Sequence, residues 1–308
     1  MTDSSFSALS EDGVLALEGD GIAAFLQGQL TCDTRTAAPD RSVPGAFCNA
    51  QGRVIADLRL LLPAPGLGLL RVSAALAAHA ATVLGRYAMF SRIEVTAATD
   101  RWQPCALWGS DAAATLRDAV GSAPEGENAC AGGDGWLAVC CDPAGEAFEL
   151  YLADGAGSAV GEHLAAAGRG TEADWRALEL RRGLLRLGEG QAETQLPQAL
   201  NYDRAGLVSF RKGCYTGQEV VARLHYRGRA KKRWGLWQGR LTGAPGAGET
   251  LADGEGNPCA EVLRAVRDSD GTSWLAALAR GEDSGRALVT AAGEVLEPCA
   301  LPYSADGD

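Results

Sequence analysis

Residues Arg211–Arg223, RKGCYTGQEVVAR, carry the strongest chemical pattern in this sequence. Thr216 and Glu219 have the T-x-x-E spacing of a capping box, which predicts that a helix begins at Thr216. Cys214 would then lie two residues before the helix, near the positive end of the helix dipole. An arginine and a lysine immediately precede the Gly-Cys pair, and such charges favour the thiolate over the thiol. Cys214 is therefore the candidate reactive residue.

A plainer interpretation of Cys214 is also available, because most free cysteines are small, buried, apolar residues. The capping box, the two cations and the flanking glycines favour the reactive interpretation. Gly213 and Gly217 permit tight backbone geometry or the close approach of a ligand. The other eight cysteines show no such pattern, and we expect them to be structural.

The charge of the chain is unevenly distributed. The formal net charge is −11, yet residues 204–240 contain ten lysines and arginines and a single acid, Glu219. The negative total disfavours non-specific nucleic-acid binding by the whole surface. The local run of cations predicts either a solvated face or a docking surface for an anionic partner. The candidate partner-binding residues within it, called the basic strip below, are Arg223, Arg227, Arg229, Lys231, Lys232 and Arg233.

Length and cysteine usage narrow the class of protein. The 308 residues suffice for about two domains. The nine cysteines include no C-x-x-C pair and there are three histidines, so we expect neither a disulfide framework nor a bound metal such as zinc. No apolar run reaches the roughly 18 residues that span a bilayer, and the first residues do not resemble a secretory signal. We therefore expect a cytoplasmic protein without a membrane partner.

The pattern of elements predicts an α+β chain in two parts. Up to about residue 226, short strands alternate with amphipathic helices, one of which should begin with a capping box at Thr171 and Asp174. Gly121–Gly135 is predicted to be a glycine-rich loop. Beyond residue 226, short β-type runs separated by Asp-Gly turns predict a small antiparallel barrel. The predicted division is residues 1–226 and 227–308.

The segment Lys212–Glu219, KGCYTGQE, matches throughout the K-G-C-Y-x-G-Q-E hallmark of the YgfZ family, which this chain resembles. The match is specific because it includes a cysteine in a reactive context. Weaker similarities extend over nearly the whole chain. They lie in Phe25–Asp33 (FLQGQLTCD), Cys48–Leu60 (CNAQGRVIADLRL) and Leu301–Ser304 (LPYS), whereas Leu196–Arg233, which contains the hallmark, strongly resembles the family's signature region.

The resemblance implies a fold and a function. The YgfZ family is similar to the T-protein, the folate-dependent aminomethyltransferase of glycine cleavage. It implies a three-part ring, in which two intertwined α+β subdomains bind folate and a C-terminal antiparallel β-barrel follows. It also implies that tetrahydrofolate or a folate derivative binds in the central hole. The implied task is to support assembly or repair of iron–sulfur proteins, whose members include radical enzymes that thiolate tRNA.

The resemblance also assigns roles to individual residues. Cys214 matches the residue on which the family depends. Trp175, on the helix predicted to begin at Thr171, lies where the family has a tryptophan against folate, although a core aromatic is the commoner use of such a residue. A second family tryptophan falls at Gly13, so any stacking that it supplies is absent here. The motif shell around the cysteine is Lys212, Gly213, Tyr215, Gly217, Gln218 and Glu219.

Three functions are open at this point. The first is a folate-binding accessory protein in which the Cys214 thiolate acts on a cluster, a sulfur species or a partner thiol. Because iron–sulfur clusters usually need four protein thiolates, a cluster would be bound transiently or shared. The second is a folate-dependent aminomethyl (one-carbon) transferase. The third is a tRNA-binding module that uses the basic strip.

Overall fold

The computed structural model describes residues 3–303, except for the side chain of Ala167. Ser304, the last residue of the LPYS segment, lies outside the described residues. None of the helices in the described range is long and apolar enough to cross a membrane. The helices are α1 (Ile22–Gln27), α2 (Ala74–Ala88), α3 (Ala112–Val120), α4 (Ala156–Ala167), α5 (Glu172–Arg181) and α6 (Gln218–Arg227). The strands are β1 (Ser5–Ala8), β2 (Asp12–Glu18), β3 (Val43–Cys48), β4 (Val54–Ala64), β5 (Leu67–Ser73), β6 (Glu94–Ala97), β7 (Trp102–Trp108), β8 (Cys130–Gly133), β9 (Trp136–Cys140), β10 (Ala147–Ala153), β11 (Lys232–Gly239), β12 (Thr250–Ala252), β13 (Pro258–Arg267), β14 (Ser273–Arg280), β15 (Leu288–Val289) and β16 (Val295–Cys299).

Three sheets organise the described chain. The first sheet has the strand order β3-β4-β5-β2-β6 and the second has the order β1-β7-β10-β9-β8. The six C-terminal strands close into a barrel of order β11-β14-β13-β12-β15-β16. Strand β1 pairs with β7 of the second sheet although it directly precedes β2 of the first, so the two N-terminal sheets are interleaved along the chain. The predicted α+β class and C-terminal antiparallel barrel are confirmed.

The barrel strands β11, β13 and β14 bury residues on both of their faces. On β14, Leu275 and Ala277 point into the barrel interior. Ala276 and Leu278 belong instead to the main apolar core, together with Trp234 of β11 and residues of the first sheet and α5. This alternation follows from the strand period of two, which sends successive side chains to opposite faces. The outer face of the barrel is thus continuous with the core of the N-terminal part.

The capping box predicted at Thr171 is confirmed at the start of α5. The Thr171 hydroxyl accepts a hydrogen bond from the Asp174 amide at 3.2 Å, and the Asp174 carboxylate accepts from the Thr171 amide at 3.0 Å. Two otherwise unpaired amides at the helix start are satisfied in this way.

The prediction that Gly121–Gly135 is entirely loop is wrong. Residues Cys130–Gly133 form β8, which pairs with β9 at the edge of the second sheet. The glycines have a packing role there, because a Cβ at Gly133 would lie 2.5 Å from the indole nitrogen of Trp136. Glycine is typical of loops, and it also occurs in strands where a side chain approaches the backbone closely. The sequence pattern alone therefore did not distinguish a loop from strand β8.

A buried group of charges joins both N-terminal sheets to α5. Arg186 donates to Glu179 at 2.8 Å and to Glu149 at 3.1 Å. Its third partner is Asp57, at 3.1 Å. Burial alone raises the pKa of the Glu179 carboxyl, but the guanidiniums of Arg186 and Arg176 outweigh burial and hold this pKa at about 2. The Glu179 carboxylate is therefore charged inside the molecule, and its charge depends on the arginines.

Candidate functional site

Cys214 lies on the surface, in the connection that leads into α6. All nine cysteines fall within the described range, and Cys214 alone is exposed. Cys32 and Cys48 are buried, and burial raises the pKa of each thiol to about 12. Cys214 is thus the cysteine most open to reagents and partner proteins.

Lys212 anchors the cysteine segment to the loop after α1. Its side chain is buried, and its ammonium donates to the carbonyl oxygens of Gln27 at 2.7 Å and Leu30 at 2.5 Å. The ammonium also lies 5.0 Å from the centre of the Tyr215 ring. Burial lowers the pKa of Lys212 to about 8. Within the described range, no contact directs this charge at Cys214, so Lys212 acts as an anchor.

Thr216 attaches the segment to the same loop from the other side of the cysteine. Its backbone N–H donates to the carbonyl of Gly28 at 3.2 Å, and its hydroxyl donates to the side-chain oxygen of Gln29 at 3.3 Å. The capping box predicted at Thr216 is wrong, because α6 has Gly217 as its N-cap and no side chain caps it. The Thr216 hydroxyl thus bonds to Gln29, far away in the chain, and does not cap a backbone amide of α6.

Gly217 brings the start of α6 against the turn after β3. Its φ is 83°, in the left-handed region that favours glycine. A Cβ at Gly217 would lie 2.3 Å from the Asn49 carbonyl oxygen and 2.8 Å from the Gly52 Cα. The segments Phe25–Asp33 and Cys48–Leu60, which carry the weaker family resemblance, therefore both contact the cysteine segment. Backbone contacts fix the position of the cysteine segment on two sides.

Gly217→Ala is expected to lower the free energy of unfolding by about 2–4 kcal/mol, because left-handed strain adds to a collision with backbone. Gly213→Ala is the matched control, since a Cβ at Gly213 meets nothing within 4 Å. Its effect should stay within about 0.5 kcal/mol. Urea unfolding followed by circular dichroism measures both variants. Equal losses in the two variants would show that the Gly217 contact is not a constraint.

The remaining motif residues differ in exposure. Tyr215 is buried, whereas Gly213 and Glu219 are exposed. Gln218 and Glu219 occupy the first turn of α6, where the charge of Glu219 suits the helix dipole. Close to Cys214 in the chain, Gly213 leaves the backbone exposed and Glu219 places an exposed acid in the first turn of α6.

A second feature is a cavity of about 340 Å³ between the first sheet, α5 and the barrel. Its polar lining carries both signs of charge. The charged lining residues are Glu11, Asp12, Arg176, Arg186, Glu189 and Arg264. The first turn of α2 also borders the cavity, through Ser73, Ala74 and Ala75. No sequence pattern identifies these residues, since their spacing along the chain is irregular.

Two buried arginines near the cavity have unused hydrogen-bond donors. Arg71 is 1% exposed, and within the part of the chain that the structure describes none of its three guanidinium nitrogens has a hydrogen-bond partner. The oxygens of Asp57 and Asp12 lie 3.5 and 3.7 Å from it. The Nε of Arg176 also has no hydrogen-bond partner among the residues described, and the Glu11 carboxylate lies 3.9 Å from it. Because buried polar groups are normally satisfied, these donors suit water or a polar ligand.

Trp175 does not line this cavity. It is 2% exposed and packs against Trp108, with 5.8 Å between the ring centroids, and against Leu9 and Ala147. Its indole N–H has no hydrogen-bond partner in the described range. The next residue of α5, Arg176, is the one that borders the cavity. A contact between Trp175 and folate stays a prediction.

Gly13, where the family tryptophan would fall, faces α2. A Cβ at Gly13 would lie 3.3 Å from both the Ala74 Cα and the Ala77 Cβ. A large side chain at this position would have to displace α2.

The basic strip divides into two kinds of residue. Arg233 is held by an ion pair with Asp203 at 2.9 Å and donates to the Gln198 carbonyl at 2.7 Å, so it is structural. The other members are exposed and form no ion pair with any described residue; they are Arg223, Arg227, Arg229, Lys231 and Lys232. Five free cations thus occupy the end of α6 and the start of the barrel.

Comparison with solved structures shows the fold. Aminomethyltransferase T of the glycine cleavage system from Bartonella henselae superposes with a TM-score of 0.77, covering 98% of this chain and 87% of the other at 20% identity. The predicted T-protein-like architecture is confirmed.

Comparison with curated proteins shows the family, although no protein-family model matches the chain. The protein named tRNA-modifying protein YgfZ from Yersinia enterocolitica is 32% identical over 98% of this chain and 93% of its own length. The protein of the same name from Yersinia pseudotuberculosis is 30% identical over 96% of this chain and 92% of its own length. With this similarity from end to end, and with KGCYTGQE around the exposed Cys214, the chain belongs to the YgfZ family.

Proposed function

We propose that this chain is a folate-binding accessory protein that supports tRNA modification by assisting the assembly or repair of iron–sulfur proteins. The curated relatives are named tRNA-modifying proteins. The observation that carries the proposal is the state of Cys214, the one exposed cysteine of nine. Anchors on both sides, at Lys212 and Thr216, hold it in an ordered segment.

Cys214 supplies the chemistry of this proposal. A cysteine thiolate is both a nucleophile and a metal ligand. Stable iron–sulfur clusters usually take four protein thiolates, so a single exposed cysteine acts together with groups from its client. Cys214 therefore acts on a cluster, a sulfur species or a partner thiol that is cargo. The clients are cytoplasmic iron–sulfur enzymes, among them radical enzymes that thiolate tRNA.

The central cavity is the proposed folate site. Its volume of about 340 Å³ lies in the range of about 300–1,000 Å³ that is usual for ligand pockets. Arg176 and Arg264 suit the glutamate carboxylates of folate, since guanidinium–carboxylate hydrogen bonds are charge-assisted. Asp12 provides an acceptor for the N–H groups of a pterin. The unpartnered Nε of Arg176 supports a polar occupant. When bound, tetrahydrofolate supplies a carrier for one-carbon groups.

Trp175 has an indirect part in this site. Its packing against Trp108 fixes α5, and α5 carries Arg176 into the cavity. A direct stacking contact between Trp175 and the pterin would require the indole to leave this packing. The indole N–H, which lacks a hydrogen-bond partner among the described residues, is free to donate a hydrogen bond to a bound ligand.

Calorimetric titration with 5-formyltetrahydrofolate tests the folate site. Arg264→Met is expected to weaken binding by about tenfold or more, since a hydrogen bond to a charged group contributes about 1.5–3 kcal/mol. Arg267→Met is the matched control, because Arg267 is exposed on the same strand and does not line the cavity. If the wild-type protein releases no heat, or both variants weaken binding equally, the folate site is not at this cavity.

The fold itself favours one alternative function. The superposition on an aminomethyltransferase is consistent with a folate-dependent transferase. Incubation with an aminomethyl donor and tetrahydrofolate distinguishes the two, through the formation of methylenetetrahydrofolate. We expect no multiple turnover, and sustained turnover would replace the accessory role with catalysis.

A further inference from the structure

The exposed cations of the basic strip lie in a stretch of sequence, residues 204–240, that contains one acid. The whole chain has a net charge of −11, yet Arg223, Arg227, Lys231 and Lys232 are exposed and form no ion pair with any described residue. Arg223 and Arg227 are one helical turn apart, where like charges repel each other slightly. The helix dipole compensates this repulsion at the end of α6. It does not account for the lysines beyond the helix.

The neighbouring barrel strand extends the positive surface. Lys232 of β11 lies directly opposite Arg280 of β14 in the barrel. Both side chains are exposed. Like charges on adjacent strands are unfavourable unless water or an anion screens them. The positive surface therefore continues from α6 onto the barrel.

An aromatic cluster accompanies these cations. The rings of Phe210 and His225 stack with 3.6 Å between centroids and an interplanar angle of 9°. Tyr226 stands edge-on to His225 at 4.7 Å and is 68% exposed. Its ring is thus fixed on one side and open to solvent on the other. An exposed, positioned aromatic beside cations is the arrangement that binds unpaired nucleotide bases.

The segment that carries Cys214 begins and ends at this aromatic cluster. Because the rings of Phe210 and His225 are in contact, the chain between them leaves the cluster at one end and returns to it at the other. Cys214 lies within this segment, together with the exposed Arg211 and Arg223. A polyanion bound at this cluster would therefore contact the two ends of the segment that carries Cys214.

We propose that the basic strip and Tyr226 bind RNA that has an unpaired loop. The inference rests on the proposed function, since it assigns the macromolecular partner of the same segment. The cations contact phosphates, and Tyr226 stacks on an unpaired base. An acidic protein would use the cations but would have less need of an isolated exposed ring. The duplex stem contributes phosphates, and the loop contributes the base.

Fluorescence anisotropy with a labelled tRNA transcript, a short RNA hairpin and a blunt RNA duplex tests the proposal over a series of salt concentrations. The double variant Arg227→Glu with Lys231→Glu should weaken binding to all three RNAs by about tenfold or more and lower the salt slope by about two. The matched control is Arg86→Glu with Arg169→Glu, which changes the net charge equally at exposed positions outside the strip. The control should retain near wild-type affinity.

Tyr226→Ala separates base stacking from charge. It should weaken binding to the hairpin by about fivefold or more and leave binding to the duplex unchanged. Wild-type protein that retains no RNA at the lowest salt would overturn the proposal, as would equal weakening by the control pair. Loss of cellular function in the strip variant with intact RNA binding would assign the strip to a protein partner and also overturn it. Titration of the same variants with 5-formyltetrahydrofolate keeps this result separate from the folate site.

Discussion

Replacing Cys214 with serine is expected to abolish the cellular function of this protein while its free energy of unfolding changes by less than about 0.5 kcal/mol. The thiol is exposed and fills no cavity, so its loss removes chemistry and no packing. The anchors at Lys212 and Thr216 bind through their own side chains and backbone, and they stay in place. Complementation of a strain that lacks the protein measures function, and urea unfolding measures stability.

Cys299→Ser is the matched control for this variant. Cys299 is half-buried at the end of β16 and far along the chain from the KGCYTGQE segment. It should complement fully. Native alkylation followed by mass spectrometry should modify Cys214 first in the wild type. Full complementation by Cys214→Ser would remove the role of this thiol and leave the family relationship without a mechanism.

Replacing Arg186 with methionine is expected to lower the free energy of unfolding by about 3–5 kcal/mol. The change removes one guanidinium and leaves the buried carboxylates of Asp57, Glu149 and Glu179 short of a partner. Burying a charge without compensation costs far more than an ion pair contributes. Urea unfolding at neutral pH measures the loss.

Arg101→Met is the matched control, because Arg101 pairs with Glu18 on the surface. It should change stability by less than about 1 kcal/mol.

Acid titration gives an independent readout of Arg186→Met. Burial raises the pKa of Glu179, but its arginine partners lower the pKa from 4.5 to about 2 in the folded protein. The resulting stabilisation is complete above pH 4.5 and is lost as the pH falls toward 2. The variant should lose less stability over this range than the wild type does. Identical acid profiles would show that Arg186 does not hold the carboxylates charged.

Short sequence patterns predicted several features of the fold and of the candidate site. The α5 capping box followed from Thr171 and Asp174 alone. The barrel followed from alternating apolar residues and Asp-Gly turns. The KGCYTGQE segment alone identified Cys214 as the candidate reactive residue. In each case the predictive pattern spans only a few residues of sequence, although the barrel itself closes through distant strand pairs such as Leu236 with Cys299.

Long-range contacts account for what the sequence did not predict. Thr216 has the spacing of a helix cap, but its hydroxyl binds Gln29 and α6 begins later. The buried charge group and the cavity join residues that are far apart in the chain. A signal for the charges was present, because Asp57 and Arg59 interrupt the apolar run of β4. Their partners on α5 and β10 could not be inferred from that signal.

The apolar core that the barrel shares with the N-terminal part determines how fragments of this chain behave when they are produced separately. Trp234, Ala276 and Leu278 lie in one cluster with residues of the first sheet and α5. A gene divided near residue 226 would therefore produce two fragments, each with an uncovered hydrophobic side. Each fragment alone would aggregate, and co-expression would rescue both. The pair offers a natural split reporter, whose reassembly could be read by fusing half of a fluorescent protein to each piece.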